Sequence, residues 1–139
     1  MGIKYLLDSN VLSEPAKKQP NESVMQYLLE HDGEYATTAI VWHEMVYGCE
    51  RLVVSKRKTE LESYLAMLNT NGLVVMAYDQ SAAEYYAKER ARLQQKGQTY
   101  SYADGEIASI AVTQNLILVT RNTDDFKYFQ GLRLENWFL

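Results

Sequence analysis

Apolar residues follow two different spacings along this chain. Five short runs have the length of a β-strand: Ile3–Leu7, Tyr35–Thr38, Leu73–Ala77, Leu116–Thr120 and, as a short fifth candidate, Arg133–Glu135. Five longer segments have the amphipathic spacing of a helix: Glu22–Glu30, Ile40–Val54, Ser55 to about Asn69, Asp79 or Ser81 to Lys96, and Ala103 to about Asn115. Strands that alternate with helices of this length predict a parallel sheet with helices on both faces.

The pattern therefore predicts an α/β fold of three layers, α/β/α, with a mostly parallel central sheet of four to five strands. The chain has 139 residues and no internal repeat or Gly/Ser-rich linker, so we expect a single domain over residues 1–139. In such a fold the carboxyl ends of the strands meet along one edge of the sheet, and ligands bind in the crevice beyond that edge.

Composition narrows the setting in which the protein works. Cys49 is the single cysteine, which rules out an internal disulfide and suits a reducing compartment. The apolar runs are too short for a membrane span and none resembles a signal peptide, so we expect a cytoplasmic protein without membrane contact. The net charge is −4, with 14 basic and 18 acidic residues. This balance is unusual for a plain nucleic-acid binder but fits a nuclease with an acidic pocket.

Three acidic residues stand where the surroundings are otherwise apolar. Asp8 follows the first strand and precedes Ser9 and Asn10, which places it at the ligand-binding edge; capping of a short helix is its alternative role. Glu44 and Asp104 lie in apolar helical stretches. The alternatives are a solvated position for Glu44 and interaction with the helix dipole for Asp104. Converging carboxylates share a cation, so we interpret the three as a Mg²⁺ or Mn²⁺ site.

More acidic residues follow the strand that ends at Thr120. Thr120 and Asn122 could hold a water molecule or orient a carboxylate, and either Asp124 or Asp125 could complete the site. In a short helical turn, adjacent side chains point about 100° apart, so a single one of the two can face the pocket. Burial of Phe126 favours the direction that turns Asp125 toward the first carboxylate.

Four segments of the chain carry these residues in order. They are Leu7–Pro15, Glu44 with Tyr47-Gly48, Ala103–Ala108, and Val119–Asn122 with Asp125-Phe126. Together they resemble the motifs of PIN-domain ribonucleases, and specifically the VapC-type and FitB-like toxins of bacterial toxin–antitoxin pairs. The resemblance covers nearly the whole chain. It departs at Asn122, where FitB-like proteins have Asp; other VapC-like toxins have Asn there and an acidic residue three positions later, as Asp125 is here.

The resemblance implies a PIN fold and a toxin that hydrolyses phosphodiester bonds in RNA with Mg²⁺ or Mn²⁺, leaving a 5′-phosphate and a 3′-hydroxyl. The implied catalytic residues and metal ligands are Asp8, Glu44, Asp104 and, as the fourth, Asp125, with Asp124 and Asn122 as alternatives. The implied supporting residues are Ser9, Asn10, Thr120 and Asn122. The expected substrate is tRNA or another structured RNA loop. The expected partners are a cognate VapB-like or FitA-like antitoxin and a second copy in a homodimer, with a higher assembly as a further option.

Basic and aromatic side chains supply candidates for RNA contact despite the net negative charge. The basic candidates are Lys17, Lys18, Arg92, Lys96 and Arg121. Tyr100 and Tyr102 flank the third motif, where they could stack on unpaired bases or pack in the core.

Other functions fit the residues less well. A haloacid-dehalogenase-like phosphatase needs a second Asp where Asn10 stands, and His31 and His43 offer no Ser-His-Asp arrangement. The main alternative is a PIN-like module that binds RNA or protein without cleaving it. The presence of Asp8, Glu44 and Asp104 together argues against that alternative.

Overall fold

A sheet of five parallel strands forms the centre of the fold in the computed structural model, which describes residues 2–139. The strands are β1 (Tyr5–Leu7), β2 (Tyr35–Thr38), β3 (Val74–Met76), β4 (Ile117–Val119) and β5 (Arg133–Glu135). Their order across the sheet is β3-β2-β1-β4-β5, so the direction in which the chain adds strands reverses between β1 and β4. Such a reversal leaves a crevice beyond the carboxyl ends of these two strands, where parallel sheets bind ligands.

Six α-helices connect and flank the strands within residues 2–139. They are α1 (Ser9–Leu12), α2 (Glu22–Glu30), α3 (Ala39–Glu50), α4 (Lys56–Thr70), α5 (Gln80–Gln95) and α6 (Tyr102–Thr113), with 3-10 turns at Glu14–Ala16 and Thr123–Asp125. The predicted α/β class is confirmed, and every strand pairing is parallel. None of the helices in the described part of the chain is long and apolar enough to cross a membrane.

Part of the core lies between the central strands and the apolar face of α6. Leu6 and Leu7 of β1 and their neighbours on β4 are fully buried, as are Ala108 and Ala111 of α6. The small α6 residues let this helix lie close to the sheet. The first residues beyond β1 and the first turn of α6 are therefore held by tightly packed elements, which suits a site that needs fixed geometry.

Two glycines directly follow the ends of helices. Gly72 follows α4 with φ of +80°, and Gly97 follows α5 with φ of +69°. Both values lie in the left-handed region, where a residue without Cβ is favoured, and such glycines commonly terminate helices.

The predicted helix Ile40–Val54 was too long at its C-terminal end. Helix α3 ends at Glu50, and Val53 and Val54 are 81% and 95% exposed rather than packed. The Lys58 ammonium group donates to the carbonyl oxygens of Glu50 (3.3 Å) and Leu52 (3.2 Å), which satisfies backbone acceptors beyond the helix end. The apolar run in the sequence therefore extends beyond the end of the helix, and Val53 and Val54 face solvent instead of the core.

Candidate active site

Asp8 lies at the switch point, directly beyond β1. Its side chain is 7% exposed, and its backbone N–H donates to the Val119 carbonyl of β4 at 3.0 Å. The Ser9 N–H donates to Asp8 Oδ1 and the Thr120 hydroxyl donates to Asp8 Oδ2, each at 2.8 Å. The bond from Ser9 also makes Asp8 the N-cap of α1, so the capping role and the position at the binding edge coexist.

Asn10 joins the first motif to the residues that follow β4. Its amide nitrogen lies 3.4 Å from Thr120 Oγ1 and 3.5 Å from Asp8 Oδ2. Its amide oxygen accepts the backbone N–H of Arg121 at 3.1 Å. The Asn122 N–H donates in turn to Thr120 Oγ1 at 3.0 Å. The four residues predicted to support the site thus lie around Asp8, and Asn122 takes part through its backbone.

Glu44 approaches this edge from α3, on the side of the site open to solvent. Partial loss of water around the carboxyl group raises its pKa, the negative charge of Asp8 raises it further, and the interaction with the Ser9 side chain opposes the shift. His43 is exposed and its ring stacks on Tyr47 at 6.3 Å between centroids. His43 therefore faces outward although it is adjacent to Glu44 in sequence.

Asp104 is half-buried in the first turn of α6. Its backbone N–H donates to the Ser101 hydroxyl at 3.1 Å, which makes Ser101 the N-cap of α6. Loss of hydration raises the pKa of its carboxyl group to about 6, and the charges of Asp8, Asp125 and Glu44 contribute to the rise. The four carboxyl groups are therefore close enough for their charges to interact.

The two candidates for the fourth carboxylate differ in their surroundings. Burial raises the pKa of both Asp8 and Asp104, and the charge of Asp125 adds to the rise. Asp124 has a side chain that is 90% exposed and pairs with Lys127 at 3.4 Å. Phe126 is fully buried. Both Asp124 and Asp125 line a groove of about 450 Å³ together with Asp104.

The side chains around this groove suit a hard divalent cation. The candidate ligands are carboxylates, with amide and hydroxyl groups next to them, and oxygen donors of this kind bind Mg²⁺ and Mn²⁺. No three His, Cys, Asp or Glu side chains within residues 2–139 stand as close as a preformed metal cage requires. A positive charge between carboxylates that raise one another's pKa relieves their mutual repulsion, so this donor set fits a divalent cation.

The basic residues predicted for RNA contact are not equally available. Lys18 and Lys96 are exposed, whereas Lys17 pairs with buried Glu14 at 3.0 Å. The Arg121 guanidinium lies 4.7 Å from the centre of the Phe138 ring.

Arg92 is held within the fold, although its four-residue spacing from Lys88 and Lys96 makes it part of a basic stripe along α5. Its guanidinium donates two hydrogen bonds of 2.8 Å to Glu89, which is 5% exposed, and a third to the Tyr128 carbonyl. Glu89 also accepts the Gln130 N–H at 2.6 Å. This pair ties α5 to the loop beyond the turn that carries Asp125.

Some side chains near the site escaped the sequence prediction. Gln98, Thr99 and Tyr128 line the acidic groove beside the carboxylates. They come from irregular segments before α6 and after the second 3-10 turn, where no periodic pattern indicates which side chain faces a groove.

Comparisons with known proteins agree with this architecture. The family model described as PIN domain matches residues 5–132. The tRNA(fMet)-specific endonuclease VapC of Shigella flexneri is 29% identical over 97% of this chain and 98% of its own length. Toxin FitB of Neisseria gonorrhoeae is 34% identical over 87% of this chain and 89% of its own length. The structure of VapBC2 from Rickettsia felis bound to a DNA fragment from their promoter covers 99% of both chains at 32% identity, with a TM-score of 0.82.

The parallel sheet with Asp8 at its switch point places the molecule in the class of α/β proteins whose ligand sites lie beyond the carboxyl ends of the strands. Within that class, the chain belongs to the PIN-domain family. The resemblance inferred from the four sequence motifs is confirmed.

Proposed function

We propose that this protein is the ribonuclease toxin of a toxin–antitoxin pair and that it cleaves RNA with Mg²⁺ or Mn²⁺. The observation that carries the proposal is the convergence of Asp8, Glu44, Asp104 and Asp125, whose charges interact at one edge of the sheet. The names of the relatives support the reaction, since they include a VapC endonuclease and Toxin FitB. A module that binds without cleaving has no need of four carboxylates that repel one another.

The carboxylates would act as the metal ligands, and the residues around them hold the ligands in place. When bound, a divalent cation lowers the pKa of water and neutralises charge on a phosphodiester. Asp8 is oriented by the Ser9 N–H and the Thr120 hydroxyl, and Asn10 ties Thr120 to the next loop. The backbone N–H of Arg121 ends this network, and its guanidinium, which packs on the Phe138 ring, is the proposed group that stabilises negative charge on phosphate.

The relatives, rather than the site, support a proposal for the RNA. The Shigella flexneri protein is named as a tRNA(fMet)-specific endonuclease, and it matches this chain over nearly its whole length. We therefore propose tRNA, or another structured RNA loop, as the substrate. The unpaired bases of such a loop are available to protein side chains, unlike bases within an RNA helix.

An antitoxin and a second copy of the chain are the proposed partners. The VapBC2 structure, which resembles this chain, contains a two-component complex on promoter DNA. Two helices have apolar side chains accessible for docking: Tyr47 on α3 is 62% exposed and Met67 on α4 is 46% exposed. Met67 borders an apolar groove of about 340 Å³ between α2 and α4, which also contains Leu29. An apolar helix of the antitoxin would fit such a groove.

The reaction can be tested with the purified chain and a total tRNA fraction. We expect cleavage with Mg²⁺ or Mn²⁺, no cleavage with EDTA, and products that carry 5′-phosphates when their ends are sequenced. Glu44→Gln should lose cleavage while its unfolding transition stays close to that of the wild type. Cleavage that persists in EDTA would contradict the metal mechanism, and intact RNA at saturating Mn²⁺ would favour the binding module.

Asp125 and Asp124 provide a comparison of two neighbouring carboxylates. We expect Asp125→Asn to raise the Mn²⁺ concentration needed for half-maximal cleavage about tenfold, because its charge interacts with Asp8 and Asp104. Asp124→Asn should change this concentration less than twofold, since its side chain pairs with Lys127 in solvent. A titration of cleavage rate against Mn²⁺ measures both variants. The reverse ranking would show that Asp124 is the ligand.

A further inference from the structure

A second groove lies next to the acidic groove, on the other side of the segment 98–100. It has a volume of about 280 Å³ and is lined by Arg90 and Gln94 of α5, by Tyr102 at the start of α6, and by the segment itself. Gln98, Thr99 and Tyr100 line both grooves. A strand of nucleic acid with its phosphate at the carboxylates would therefore pass directly beside the second groove.

Tyr102 and Arg90 form a layered pair at this groove. The Arg90 guanidinium carbon lies 5.2 Å from the centre of the Tyr102 ring, and one of its nitrogens lies 3.5 Å from the Tyr102 hydroxyl. The Tyr86 ring meets Tyr102 edge to face at 5.2 Å, and the Tyr86 hydroxyl donates to the Tyr102 carbonyl. These contacts hold the Tyr102 ring in place although it is 57% exposed.

Arg90 differs from the arginine two residues further along α5. Arg92 is paired with Glu89, whereas no carboxylate in the described part of the chain forms an ion pair with Arg90. Its side chain is exposed and keeps a full positive charge. A planar guanidinium layered on an aromatic ring is a surface on which nucleobases stack, and its N–H groups can donate to a phosphate.

We propose that Arg90 and Tyr102 form a binding subsite for an unpaired nucleotide next to the phosphate that is cleaved. The base stacks on the guanidinium–tyrosine pair, and the Gln94 and Gln98 amides are within the same groove to meet its polar edge. The subsite selects single-stranded RNA at this position, since a paired base cannot leave its stack to enter. This inference rests on the proposed function, because it takes RNA as the substrate.

The subsite can be tested by binding, independently of cleavage. The probe is a fluorescein-labelled 12-nucleotide single-stranded RNA of mixed sequence, and fluorescence anisotropy measures its affinity for the full chain carrying Asp104→Asn. On this background we expect Tyr102→Leu and Arg90→Gln each to weaken binding about tenfold, which is within the range for loss of one stacked base. Tyr102→Phe keeps the ring and should bind within about twofold of the parent.

The matched control is Lys88→Gln, which removes one exposed charge from α5 about 200° around the helix from Arg90. Its effect should be less than threefold at 0.1 M salt. If Lys88→Gln weakens RNA binding as much as Arg90→Gln does, the loss of affinity reflects nonspecific electrostatic attraction to RNA. That result would overturn the subsite. Equal affinity of Tyr102→Leu and its parent for the labelled RNA also overturns the subsite.

A cleavage assay separates failure of the subsite from failure of the proposed function. With the catalytic residues intact, Tyr102→Leu should raise KM for tRNA about tenfold and leave kcat within about threefold. If the wild type cleaves RNA and Tyr102→Leu has unchanged KM, the subsite alone is wrong. If the wild type does not cleave but the binding differences are found, the proposed reaction is wrong and the nucleotide subsite stands.

Discussion

Replacing Asp104 by Asn should lower the rate of RNA cleavage at least about 100-fold and, in the absence of metal, raise the stability of the fold. The loss of rate follows if Asp104 is a metal ligand, because the cation and the charge it stabilises are then held less well. The gain in stability follows from repulsion. Burial and the charges of Asp8, Asp125 and Glu44 together raise the pKa of Asp104 to about 6, so its ionised form is disfavoured in the folded state.

The pH dependence of this gain has a definite sign. The folded pKa is about 6 and the ordinary value is 3.8, so above pH 6 the folded protein must keep a charge that costs it stability. As pH falls from 6 toward 4, the folded protein binds a proton that the unfolded chain does not yet bind, and the cost disappears. The dipole of α6 favours the charge and offsets part of the effect. We expect Asp104→Asn to be more stable than the wild type by about 1 kcal/mol at pH 7.5 and equally stable near pH 4.

Urea denaturation in EDTA at several pH values, together with cleavage assays in Mn²⁺, tests both parts. The matched control is Asp124→Asn, which makes the same chemical change on an exposed side chain and should alter neither quantity much. Full activity of Asp104→Asn at saturating Mn²⁺ would exclude Asp104 as a ligand. Loss of activity that accompanies unfolding would show a structural role instead.

The sheet and its binding edge could be predicted because their signals are local. A buried run ending at Asp8 and glycines after α4 and α5 are each visible within a few residues of sequence, and the structure contains all of them. The edge at which Asp8 lies follows from the alternation of strands and helices alone. Predictions of this kind hold because backbone propensity and packing favour the same conformation.

The parts that escaped prediction depend on contacts between residues distant in sequence. Arg92 fits a basic stripe on α5, yet its guanidinium is taken up by the Tyr128 carbonyl, 36 residues away, as well as by Glu89. The amide of Asn10 meets a backbone N–H that is 111 residues away. Periodicity carries no information on such pairs, because it reports which face of an element is buried and not which group it meets.

Replacing Gly105 by Ala should destabilise the protein by about 3 kcal/mol, although alanine is the better helix former. Gly105 is buried in α6, directly after Asp104, where α5 and α6 cross in close contact. A Cβ at this position would clash with Cζ, Cε1 and the hydroxyl oxygen of Tyr86. Tyr86 is 2% exposed and packs against Tyr102, so its ring could move only by breaking this contact and entering the groove that it lines. Either this shift or a separation of the two helices is costly, and a separation would also displace the carboxylate of Asp104.

Gly48 allows the same substitution inside another helix without the clash. A Cβ added there meets nothing within 4 Å, so Gly48→Ala in α3 should be neutral or more stable by about 0.5 kcal/mol. Urea denaturation gives both free energies of unfolding. Shortening the neighbour in the double variant Gly105→Ala/Tyr86→Leu should cost less than the sum of the single changes, because the clash is then relieved. A Gly105→Ala variant as stable as the wild type, or strictly additive costs in the double variant, would show that the ring of Tyr86 does not set the distance between α5 and α6.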